Sequence, residues 1–196
     1  MVKSLKLKII FLAIAASVLL LSACGKKELQ GAHDWPIEEF TYTNQEGNPL
    51  GLEDLKGKVW MADFIFTECD TVCPPMTANM AEIQRKSKAE GIDNIHFISF
   101  SVDPEIDTPE VLKEYGEKFE VDYKNWDFLT GFEQEEIEQF AVKDFKTIVK
   151  KPKEGDQVIH GTTFFLVGKD GLVKKYYSGV NDVPYDTILE DIKILQ

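Results

Sequence analysis

Residues 58–76 read Lys58-Val59-Trp60-Met61-Ala62-Asp63-Phe64-Ile65-Phe66, then Thr67-Glu68-Cys69-Asp70-Thr71-Val72-Cys73-Pro74-Pro75-Met76. The first nine are nearly continuous in apolar residues, the pattern of a strand buried on both faces. From Pro74 to Ala89 the period changes: Met76, Met80 and Ile83 recur three to four apart, and proline in the first turn suits a helix start. A buried strand that becomes a helix across two cysteines asks for a parallel α/β fold with chemistry at the turn.

The flanking sequence supplies the rest of that fold. Ile95 to Val102 is a second buried strand, and Thr108-Pro109-Glu110 opens a helix with Thr108 as N-cap. Trp126 to Leu129 is a short strand, followed by an acidic amphipathic helix from Glu133 to Phe145. Thr162–Gly168 and Leu172–Tyr177 flank Lys169-Asp170-Gly171, a hairpin turn, and a helix from Tyr185 to Ile194 closes the chain. Upstream, Phe40-Thr41-Tyr42 and Pro49-Leu50 flank a glycine-containing turn, and Leu52 to Gly57 reads as one helical turn. The order is a hairpin, βαβαβα, a hairpin and a helix. This fits an α/β, thioredoxin-like architecture with an additional N-terminal β-hairpin, spanning residues 36–196.

Residues 1–23 lie outside this pattern. Lys3, Lys6 and Lys8 precede a 13-residue apolar run, Ile9 to Leu21, and then Ser22-Ala23-Cys24. A spanning helix needs about 20 apolar residues, so the run is short for a permanent anchor and reads as a secretory signal. Its Leu-Ser-Ala-Cys ending resembles a bacterial lipobox, which makes Cys24 the lipidated first residue of the mature chain; the alternative is ordinary cleavage with a free Cys24. Residues 24–35 would then be a tether, and the domain would be extracytoplasmic, lipid-anchored to the outer face of the cell membrane. The 196-residue chain carries 34 acidic against 22 basic residues, a net charge of −12. Such a surface repels phosphate backbones, so nucleic acid is excluded as a partner. Nothing in the sequence demands more than a monomer.

Three cysteines are too few for a disulfide scaffold. Cys69 and Cys73 are the candidate redox-active pair, and Cys73, just before a proline-initiated helix, is placed for a thiolate. Three residues separate them where thioredoxins have two, which leaves room for one ion and suggests a third ligand. Of three histidines, His33 lies in the tether and His96 opens a strand. His160 precedes the strand that a thioredoxin-like fold sets beside the cysteine turn. Two cysteines and a histidine favour copper, Cu(I) or Cu(II), with zinc the competitor.

Cys69-x-x-x-Cys73-Pro74, the stretch Val102-Asp103-Pro104-Glu105-x-Asp107-Thr108-Pro109 and the late His160 together resemble the Sco (SenC) copper proteins, over residues 36 to 195. The resemblance implies copper bound by Cys69, Cys73 and His160. It also implies a metallochaperone role in assembling the CuA centre of cytochrome c oxidase subunit II, and Asp103 matches a position near the site implicated in transfer. Asp63, six residues before Cys69, matches a buried aspartate that thioredoxins use for proton transfer, and so keeps alive a rival: a tethered thiol–disulfide oxidoreductase that reduces the cysteines of a copper acceptor. Gly161 stands where related thiol reductases carry a cis-proline, which favours copper. Met76 and Met80 read as core, and the acidic helix face and the lysines at 143, 146, 150, 151 and 153 read as solvated.

Overall fold

The computed structural model describes residues 29–155 and 157–196. The signal segment, Cys24 and most of the tether lie outside the described residues. Among the described residues no helix is long and apolar enough to cross a membrane.

In chain order the elements are β1 (Trp35–Pro36), β2 (Thr41–Asn44), β3 (Pro49–Gly51), α1 (Leu52–Leu55), β4 (Val59–Ile65), α2 (Cys73–Ala89), β5 (Ile95–Ser101), α3 (Pro109–Glu117), β6 (Trp126–Thr130), α4 (Gln134–Asp144), β7 (Val149–Lys150), β8 (Ile159–His160), β9 (Thr163–Val167), β10 (Leu172–Ser178) and α5 (Tyr185–Leu195). Twelve of these fall where the sequence reading puts a strand or helix, and the Thr108 hydroxyl caps α3 by accepting from the Val111 N–H.

Eight strands form one sheet in the order β1-β10-β9-β4-β5-β6-β2-β3. β4, β5 and β6 run parallel, whereas β9 joins β4 antiparallel. The thioredoxin-like arrangement expected from the sequence is therefore present, with the β2–β3 hairpin added beside β6. All seven residues of β4 are buried, as its unbroken apolar run requires. On one side α2 holds α3 through Thr77 and Tyr115 and α5 through Asn79 and Tyr185, both contacts at 2.8 Å. Elsewhere α4 brings Phe140 and Phe145 against Phe100, with ring centroids 5.2 and 5.8 Å away. Phe64 and Phe40 join this aromatic cluster.

Two features depart from the periodic reading. The last residues of the stretch read as tether are fastened to the sheet edge: Trp35 pairs with Val173, and the His33 N–H donates to the Lys174 carbonyl at 3.0 Å. The exposed His33 ring stacks on Trp35 and Tyr176, at 4.6 and 5.1 Å. Second, β7 and β8 form a separate two-stranded sheet with two rungs, Val149 to His160 and Lys150 to Ile159. Strands of two residues carry no period, so the sequence shows none.

Candidate metal centre

The cysteine half of the site is built by the turn from β4 into α2. Cys69 is 4% exposed and Cys73 fully buried, and neither forms a disulfide. The helix begins at Cys73, whose N–H donates to the Cys69 sulfur at 3.3 Å. The helix terminus thus serves Cys69, which corrects the expectation that it favours a thiolate at Cys73 as well. Burial opposes ionisation of Cys69, but donors from Cys73, Thr71 and Val72 outweigh it and lower its thiol below the ordinary value. Burial drives the Cys73 thiol far up, aided by the negative charges of Cys69 and Asp63. Cys69 is therefore the more readily ionised of the two sulfurs, and Cys73 holds its proton more tightly.

The histidine half comes from β8. His160 sits opposite Val149, and the next residue, Gly161, donates its N–H to the Ile148 carbonyl at 3.1 Å. A side chain at Gly161 would meet the Thr147 hydroxyl at 2.1 Å, so the close approach of these segments needs glycine. His160 Nδ1 lies 3.0 Å from the Gly161 carbonyl, which can only accept; Nδ1 therefore carries the proton. That leaves the Nε2 lone pair aimed at the Cys73 sulfur, 3.2 Å away. Burial lowers the imidazole's pKa, so the ring is neutral at neutral pH. Phe66 packs edge-to-face against it at 5.7 Å.

The ligand atoms of Cys69, Cys73 and His160 all lie within 4.8 Å of one another. Two sulfurs and one imidazole nitrogen suit a soft or borderline cation, whose binding displaces the Cys73 proton.

Residues 30–195 match the SCO1/SenC family model. The chain belongs to the SCO1/SenC family. It is 54% identical to the SCO1 protein homolog of Bacillus subtilis over 175 residues, 89% of this chain and 90% of the relative. The crystal structure of a SCO1/SenC family lipoprotein from Bacillus anthracis superposes with a TM-score of 0.83 at 51% identity, covering 86% of this chain and 99% of that one. The copper-bound structure of Bradyrhizobium japonicum ScoI superposes with a TM-score of 0.68 at 27% identity, over 82% and 99% of the two chains.

In this SCO1/SenC chain the remaining candidates are distributed unevenly. Asp103 does not join the three-residue cluster; it is nearly buried, and its Oδ1 holds the Lys151 ammonium at 2.7 Å. Lys151 also reaches Glu105 at 2.8 Å and so departs from the solvated run, whereas Lys143, Lys146, Lys150 and Lys153 are exposed as expected. Met76 and Met80 are fully buried in the core. His96 is half-buried at the far end of β5, beside Trp60 in the register. Asp63 is fully buried, and neither of its oxygens finds a hydrogen bond of ordinary geometry among the described residues. Burial pushes its carboxyl up to about 7, against a smaller opposing pull from the Ser99 hydroxyl opposite it on β5.

Sequence reasoning missed Asp107. Fully buried, it accepts from the Thr67 N–H at 3.2 Å and from the Thr67 and Ser101 hydroxyls, both at 2.6 Å. It ties the segment after β5 to the cysteine turn. Its place in the Asp-Thr-Pro helix start was visible, but its partners are 40 and six residues away in the chain.

Proposed function

We propose that this protein is a copper metallochaperone that holds copper through Cys69, Cys73 and His160 and hands it to the CuA site of cytochrome c oxidase subunit II. The convergence of two sulfurs and an unprotonated imidazole nitrogen within 4.8 Å carries the reading. Two further facts support it: a similar protein has been seen with copper bound, and the Sco family comprises cytochrome c oxidase assembly proteins. Cys24 would carry the lipid that keeps the domain, as a monomer, at the outer face of the membrane.

Transfer follows from the asymmetry of the thiols. Cys69, the easier to ionise, takes the ion first; Cys73 then gives up its proton, and His160 completes a roughly trigonal site. An acceptor with thiolate and imidazole ligands displaces these donors one at a time. Titration of the reduced full-length protein with copper tests this. Uptake of one equivalent, with a thiolate-to-Cu(II) charge-transfer band that His160→Ala abolishes, is expected. Copper affinity in that variant equal to wild type would remove His160 from the ligand set.

The same asymmetry favours a second activity. A Cys69 thiolate can attack an acceptor disulfide, and Cys73, deprotonated in turn, resolves the mixed disulfide. Cys69 and Cys73 leave as a disulfide, and two electrons and two protons reach the acceptor. This reaction needs no His160, so unchanged disulfide turnover in His160→Ala alongside absent copper binding would make it primary.

A further inference from the structure

His160 is the ligand with the least covalent and sheet support. Two rungs of β7–β8 pairing hold it, and an isolated pair that short is marginal in water. Val149 and the neighbouring Val158 anchor the pair in the core, and polar links orient it opposite the cysteines. Those polar links are few. Gln157 donates to the Glu68 carbonyl at 3.2 Å, but both groups are exposed. The Lys150–Glu138 pair leaves the lysine 63% exposed, and such pairs contribute little. Lys151 differs. Its backbone N–H donates to Glu138 at 2.8 Å, while its ammonium is held between Asp103 at 2.7 Å and Glu105 at 2.8 Å. The Asp103 side chain is 4% exposed and that of Lys151 24%, so this pair is largely out of water, and removing either partner strands the other. The two carboxylates raise the ammonium's pKa to about 12, so it stays charged.

The anchor is the segment between β5 and α3, and the same segment holds the cysteine turn through Asp107 and Thr67. Both halves of the centre are thus mounted on residues 103–107. We propose that Lys151 is a positioning residue for the Cys69–Cys73–His160 centre: its bridge to Asp103 and Glu105 fixes the β7–β8 pair where His160 faces the sulfurs, and so sets how fast that ligand lets go. The proposal rests on the reading of the cluster as a metal centre, and its test has one arm that does not.

In the reduced, metal-free full-length protein, amide relaxation in Lys151→Met should show increased motion at Val149, Ile159 and His160, with β4 and α2 unchanged. In the copper-loaded protein, release to a chelator should be roughly tenfold faster, the scale of losing a group that orients a metal ligand. Lys151→Arg should restore most of both, and Asp103→Asn should reproduce Lys151→Met. A purely structural ion pair would lower the unfolding midpoint and leave β7–β8 order and copper release at wild-type values; that result overturns the proposal. If wild type takes up no copper, the metal reading fails, and unchanged β7–β8 motion in the metal-free variant still overturns the role of Lys151.

Discussion

The two halves of the centre are made in opposite ways. The cysteine half grows from a strand with every residue buried and from a 17-residue helix, so its sulfurs are fixed by the core itself. The histidine half stands on two sheet rungs, on Val149 and Val158 in the core, and on polar side-chain contacts that are nearly all charged. A centre meant to keep its ion would bury all three donors alike. One with a rigid pair and a lightly mounted third donor can open on one side, which is what ligand-by-ligand transfer needs.

The sharpest way to probe the rigid half is through Asp63. The carboxyl holds its proton to about pH 7 in the folded protein, against 3.8 for the ordinary value. Between those limits the native state binds the extra proton. Stability therefore falls as pH rises from about 4 to 7, by about 4 kcal/mol, and is flat above. Asp63→Asn should remove this fall. Denaturant unfolding across that range measures it, and parallel curves for the two proteins would show that the carboxyl is satisfied in the folded state.

Asp107 tests the joint between the halves, with a smaller effect. Asp107→Ala strands the Thr67 and Ser101 donors and should cost about 2–3 kcal/mol. Because both ligand-bearing segments lean on residues 103–107, it should also increase amide motion at Cys69 and at His160 together. Increased motion at Cys69 alone would show that the histidine half is mounted independently.

The same division governed what could be read in the sequence. β4, α2 and β5 follow from runs and periods of apolar residues, and Cys69 and Cys73 come with them because they sit at the junction. His160 was reachable only by placing it in an assumed fold. β7 and β8, the Lys151 bridge and the Asp107 mount were not legible: each depends on polar pairings between residues tens of positions apart, where no local pattern records the partner. The expectation of a readily ionised thiol at Cys73 failed for a related reason. The helix start was identified correctly, but its first N–H points at the sulfur one turn earlier rather than at the side chain of its own residue.

X-ray absorption at the copper edge, on the reduced protein loaded with one equivalent of Cu(I), asks directly whether one ion gathers both halves. Two sulfurs and one nitrogen around each copper are expected, with the nitrogen shell lost and both sulfurs kept in His160→Ala. A sulfur-only shell in the wild-type protein, or copper bridged between two copies of the chain, would contradict the three-ligand centre.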